Sequence, residues 1–277
     1  MFEAAFMQRA IAAGLLVSLL LSLLGFFVVL RRMSFIGVGI EHAAFGGVGL
    51  AAFLNAPIFL IASLFSIATG LGIGLITRKG LVREDTSIGI LSAAGMATGV
   101  LFLALKKGYA SDAISYLFGS ILAVTGLDLW LIAGVALAVL LLLFLFFKEF
   151  LASSFDPELA RASGLPEGFL YYLLLAMTGL SIVAAIKIVG VILVSALLVL
   201  PTATARQWSQ NYRVVLVLSL VFGIASTFSG LVASYWLDIP SGATIVIFAT
   251  AAFVISLVLS PQRRRTRTNT MPVSRQG

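Results

Sequence analysis

The chain has 277 residues, is 61% hydrophobic and 10% charged, lacks cysteine and carries a formal net charge of +7. A soluble domain carries roughly a quarter charged residues, so a water-soluble enzyme or binding module is excluded, and with cysteine go disulfides and thiolate metal sites. Nor does the positive charge mark a nucleic-acid partner: Arg31, Arg32, Arg78, Lys79, Arg83, Lys148, Arg161, Arg206, Arg213 and the run from Arg263 to Arg267 fall between or after apolar stretches, as in the basic loops that orient a multi-pass protein.

Apolar stretches of about 20 residues suit a bilayer core of roughly 30 Å. They predict spans over 10–30, 35–54, 57–77, 86–105, 128–147, 169–186, 188–205, 214–236 and 241–260. The expected fold is therefore an all-α polytopic integral membrane protein with eight or nine transmembrane helices. The first stretch ends in Arg31-Arg32 without a small-residue cleavage site, and so reads as a retained span rather than a signal peptide. Placing the basic loops in the cytoplasm gives nine spans, an outer N-terminus and a cytoplasmic C-terminus.

One segment breaks the alternation. Residues 111–124, "SDAISYLFGSILAV", are amphipathic and short, and a crossing there would carry 148–168 to the outer side. A short interfacial or re-entrant helix is expected instead, covered by protein or lining a cavity. Farther on, Asp156 is placed to cap a short helix with Pro157 at its first position and Gly164 near its end. Pro201 removes a helix donor and is expected to end or kink its span. Residues 1–261 are expected to form one transmembrane domain, and 262–277 a basic, disordered cytoplasmic tail.

The chemistry concentrates in "RRMSFIGVGIEHAAFGGVGLAAF", Arg31 to Phe53, which holds the only histidine, His42, beside Glu41. A charged carboxylate at the bilayer centre costs roughly 2.5–3.5 kcal/mol on the insertion scale, and such groups usually face a cavity. Neutral imidazole and carboxylate both suit zinc, manganese or iron(II). Adjacent helical residues point about 100° apart. Local unwinding at Gly37, Gly39, Gly46 and Gly47, or pairing across a dimer axis, would bring both onto one pathway. The plainer alternative is structural: His42 donates to a backbone carbonyl and Glu41 forms a structural hydrogen bond. Phosphate-loop, nucleophile-elbow and HExxH motifs are absent, so neither ATP binding of the P-loop kind nor a recognised enzyme site is expected.

Four stretches together resemble the permease subunits of bacterial ABC importers for zinc, manganese and iron, the ABC-3 type: "VLRRMSFIGVGIEHAAFGGVGL", "SYLFGSILAV", "SFDPELARASGLP" and "VGVILVSALLVLPTATAR". They lie in family order across nearly the whole chain. The resemblance implies a homodimeric permease in a bacterial-type cytoplasmic (inner) membrane, driven by a separate ATPase and fed by an extracytoplasmic metal-binding lipoprotein. Its cargo would be a divalent ion, with no permanently bound cofactor. By matching positions, His42 takes the place of the family's pathway histidine. Val38 stands where many members carry aspartate, and Glu41 where they carry serine. The loop formed by Ala205, Arg206, Gln207, Trp208, Ser209, Gln210, Asn211 and Tyr212 takes the place of the segment that transmits ATPase motion, against the bland reading of an ordinary connection. The alternative to an ATP-driven importer is a secondary, gradient-driven metal carrier.

Overall fold

A computed structural model describes residues 5–106, 117, 119, 124–191 and 193–260. The helix expected over 111–124 falls mostly outside the described residues, and so does the tail over 262–277. The described residues form α1 (Ala5–Leu30), α2 (Ile36–Leu54), α3 (Ile58–Arg78), α4 (Glu84–Leu105), α5 (Gly126–Leu145), α6 (Phe147–Phe155), α7 (Pro157–Ala162), α8 (Glu167–Val189), α9 (Val194–Arg206), α10 (Tyr212–Leu237) and α11 (Ser241–Leu259). No strand occurs among them. Eight of these helices, α1 to α5, α8, α10 and α11, are long and apolar enough to cross a membrane.

The burial pattern sorts the bundle. Helices α1, α2 and α8 are mostly enclosed, whereas α4, α5 and α11 show most of their surface outside. Their outward side chains, such as Leu137, Phe144 and Val258, are apolar and exposed, as a lipid-facing perimeter requires. Trp130 and Trp236 are exposed at one end of the bundle, where amphipathic rings settle at headgroup level.

The ninth expected span takes a different form. Over 188–205 the sequence reads as one more crossing. Instead α8 continues to Val189, the chain leaves the helix at Gly190, and α9 covers only 13 residues. At about 1.5 Å per residue that is ~20 Å, short of a bilayer core. Gly190 adopts φ 89°, a conformation that costs a residue with a Cβ. Val191 beside it is fully buried, so this irregular backbone is enclosed by protein, the condition under which it survives at membrane depth. Pro201 does not end the helix, which runs through it to Arg206.

Opposite charges fasten the two ends. At the basic end, the Glu167 carboxylate takes Arg78 at 2.7 Å, Arg161 at 3.1 Å and Arg31 at 3.7 Å. Arg31 also donates to the Ser153 hydroxyl, and the Arg31 and Arg78 guanidiniums lie 5.6 and 5.1 Å from the Tyr171 ring centroid. Burial pulls the Arg31 guanidinium below its usual pKa, with Glu167 opposing. This cluster ties the α1–α2 turn to α3, α7 and α8. As the sequence suggested, Asp156 caps α7 by accepting from the Glu158 and Leu159 amides, with Pro157 at the first position. At the opposite end, Lys187 Nζ meets Asp128 Oδ1 at 2.7 Å, Thr125 and Asp128 form a capping box, and Lys106 Nζ donates to Asn55 Oδ1 at 2.8 Å.

Glu167 is buried among three cations, so removing it leaves uncompensated buried charge, worth about 3 kcal/mol or more. Glu167→Ala is expected to lower the thermal midpoint of the detergent-purified protein by roughly 5 °C or more. Loss of exposed Lys148 as Lys148→Ala should shift it by less than about 2 °C.

Candidate functional site

Helix α2 carries the two ionisable residues of the central segment, and it is continuous from Ile36 to Leu54. The unwinding expected at Gly37, Gly39, Gly46 and Gly47 is not found. These glycines instead let neighbouring helices come close. A Cβ on Gly46 would meet the Gly95 carbonyl oxygen at 2.6 Å, and one on Gly47 the Ala62 Cα at 2.6 Å. Gly37 and Gly39 face side chains at about 3 Å, Leu198 for the first, Ile73 and Ile88 for the second. Small residues at such crossings are what apolar solvent favours, because packing rather than water release drives association there.

The same crossings fix depth. Ala43 of α2 packs on Gly95 of α4, and Ile40 on Gly70 of α3. Both glycines lie near the middle of their helices, so Glu41 and His42 stand at mid-depth in the bundle.

Being adjacent, the two side chains diverge. His42 belongs to a stripe with Phe35 and Val38, spaced three and four residues apart, that is only partly covered within one chain: Phe35 is 69% exposed and the His42 side chain 27%. Glu41 is 2% exposed and points inward. The His42 Nδ1–H donates to the Val38 carbonyl at 2.7 Å. A backbone acceptor on Nδ1 fixes the orientation of the ring and puts Nε2 at its opposite edge. Val38 thus orients the ring through its carbonyl.

Glu41 is engaged elsewhere. Its Oε2 accepts the Ser195 backbone N–H at 2.7 Å and its Oε1 the Ser195 hydroxyl at 2.8 Å. Ser195 is the second residue of α9, whose N-cap Leu193 offers no side-chain acceptor. The carboxylate of α2 therefore supplies the cap that α9 lacks, at the positive end of its dipole. Sequence reasoning missed Ser195 and Gly190. The only signal was a glycine and a hydroxyl five residues apart in an otherwise apolar run.

Among the described residues no three His, Cys, Asp or Glu side chains gather into a cluster able to hold a metal ion.

The loop after α9 lies at the basic end. Ala205 is buried and Arg206, Trp208, Gln210 and Asn211 are exposed. Trp208 Nε1 donates to Ser256 Oγ at 2.9 Å, and the Ser260 hydroxyl to the Gln207 carbonyl at 2.5 Å. Ser209 Oγ accepts the Asn211 N–H, and Asn211 caps α10 through the Arg213 amide. Between this loop and α6 opens a cavity of about 270 Å³ lined by Phe155, Arg206, Ser209, Gln210 and Tyr212.

Comparison with known proteins places this geometry in context. The model of the ABC 3 transport family matches residues 3–260. An uncharacterized membrane protein of Synechocystis sp. is 44% identical over 91% of this chain and 90% of its own. The manganese transport system membrane protein MntC of Halalkalibacterium halodurans is 37% identical, covering 93% and 88%. A chain of the solved structure of PsaBC from Streptococcus pneumoniae in complex with Fab superposes with a TM-score of 0.87 at 34% identity, over 96% of both chains.

The α2 crossings yield a direct test. Gly46→Ala drives a methyl into backbone and should cut the yield of folded protein severalfold. Gly89, which has nothing within 4 Å of a built Cβ, should accept Ala with unchanged or raised yield, since alanine favours the helix by about 1 kcal/mol. Size-exclusion profiles of the solubilised variants read the difference.

Proposed function

The chain belongs to the ABC 3 transport family, and on that premise we propose that it is the membrane-spanning permease of an ATP-driven importer of divalent metal ions, with manganese as cargo. Full-length similarity to the manganese transport protein MntC supports the cargo over zinc and iron. The observation that carries the reading is His42, an imidazole at mid-depth whose Nδ1 is committed to Val38 and whose Nε2 is open.

Two copies would complete the pathway. The stripe of Phe35, Val38 and His42 is only partly covered in one chain, and a two-fold axis along it would set two imidazoles facing one another. A manganous ion passing between them exchanges water for nitrogen and back. Oxygen from water completes its shell, in keeping with its preference for hard ligands. The ATPase would dock at the 205–212 loop and the cavity beside it, and a metal-binding lipoprotein would deliver the ion at the opposite end.

Orientation follows from charge. Of the described basic residues, nine (Arg31, Arg32, Arg78, Lys79, Arg83, Lys148, Arg161, Arg206 and Arg213) lie at the loop end, and three (Arg9, Lys106 and Lys187) at the other. The loop end is then cytoplasmic, in the cytoplasmic membrane of a bacterial-type cell, and the C-terminus lies there too.

Two experiments check this. Cells expressing the chain with its cognate ATPase and binding protein should accumulate manganese, read by elemental mass spectrometry. His42→Ala at matched membrane abundance should lose about tenfold or more of the gain, the usual scale for a lost metal contact. Uptake that persists without ATP but collapses with the proton gradient would instead establish a secondary carrier. In this cysteine-free chain, Asn55→Cys should react with an impermeant maleimide on intact cells, and Lys79→Cys only after lysis.

A further inference from the structure

Helix α9 is held at both ends. At mid-depth its first turn is pinned by Glu41 through the Ser195 amide and hydroxyl. Along its length it is wedged against its neighbours: Gly25 of α1 lies directly on the Leu198 carbonyl, and a Cβ on Gly37 of α2 would meet the Leu198 side chain at 3.0 Å. Near its far end the Thr202 and Ser219 hydroxyls bond at 2.8 Å. It then enters the 205–212 loop, which Trp208 and Gln207 fasten to Ser256 and Ser260. One short helix thus runs from the loop to Glu41, and the next residue of α2 is His42.

The Glu41 carboxylate is badly placed to share an ion with His42. Its nearest approach to the ring is Oε1 to Nδ1 at 3.8 Å, and Nδ1 is the nitrogen turned toward Val38. The open Nε2 lies at the opposite edge of the ring. The carboxylate is well placed for its present partner, because a half-helix beginning in an apolar interior leaves amide protons without water. The Glu41 carboxyl group satisfies one of them, the Ser195 N–H, and accepts from the Ser195 hydroxyl as well.

The geometry points to Glu41 as a positioning residue whose bonds to Ser195 join α9, and through it the 205–212 loop, to the His42 segment of α2. This rests on the importer reading, which makes that loop the ATPase contact. Displacement of the loop travels along α9, shifts Ser195 and draws Glu41, so that His42 moves with it. Without the joint, ATP hydrolysis continues but is no longer converted into movement of the ion. The inference also separates two chemistries for Glu41. A glutamine preserves the joint, since its carbonyl accepts the Ser195 N–H and its amide donates to the Ser195 oxygen. As a metal ligand an uncharged amide would be a poor substitute for carboxylate.

The test uses the whole importer, permease with cognate ATPase and binding protein, in liposomes supplied with Mn2+. Glu41→Ala should hydrolyse ATP within about twofold of wild type yet carry roughly tenfold fewer ions per ATP, and Glu41→Gln should recover to within about twofold. Hydrogen exchange of the same permeases, followed by mass spectrometry, should show amides 193–197 exchanging about tenfold faster in Glu41→Ala and normally in Glu41→Gln. Glutamine as defective as alanine would make Glu41 a ligand and overturn the proposal. Hydrolysis and transport falling in parallel, or unchanged exchange, would overturn it as well. A wild-type complex without ATP-dependent Mn2+ uptake would refute the importer reading instead, and the exchange measurement would still judge the joint between Glu41 and Ser195.

Discussion

A helix that begins in the middle of a bilayer must satisfy its first amide protons without water. Of all the constraints on this molecule, that one organises the most. Helix α9 starts beside Glu41 because a carboxylate there accepts the Ser195 N–H at 2.7 Å. Gly190, with φ 89°, lets the chain leave α8 and turn toward that acceptor. The Ser241 hydroxyl of α11 donates to the Ile188 carbonyl just before the break, and Val191 beside it is fully buried. A buried acid is costly alone; here its partner is a backbone group whose burial unpaired is also costly. Each removes the penalty of the other.

The rest of the bundle can be read as support for this pair. Glycine crossings on α2 bring α3 and α4 near enough to fix its depth. The Glu167 cluster holds α3 and α8 at the basic end, and the Asp128–Lys187 pair holds α5 and α8 at the other. Charges at both ends and one acid at the centre divide the labour: the ends set the frame, and the centre sets the fine geometry.

Much of this was legible in the sequence. Hydropathy located the eight long helices to within a few residues, because a bilayer core imposes a length that composition must meet. The cap at Asp156 with Pro157 was equally readable, since capping is local chemistry. The half-helix was not. "VGVILVSALLVLP" is as apolar as a true crossing, and the turn at Gly190 depends on enclosure by other helices, which no local pattern encodes. For the same reason the glycines around His42 were read as breakers. Glycine between packed helices and glycine in an unwound one leave the same letters, and only the distances to Gly95 and Ala62 tell them apart. His42 and Glu41 stood out because polar groups are scarce in such a segment. Their divergent roles emerged only when Ser195 was seen opposite the acid.

In the proposed importer, the sparseness of donors around His42 bears on how quickly an ion leaves. No third acid or imidazole among the described residues closes around it. A coordination shell completed largely by water makes a shallow energy well, and residence time shortens steeply as a well becomes shallower. Discrimination between similar ions needs several fixed ligands, which a pathway of this kind does not hold in one chain. In the proposed importer, the choice of ion therefore rests with the protein that delivers it, and the membrane segment keeps throughput high by holding on to nothing for long.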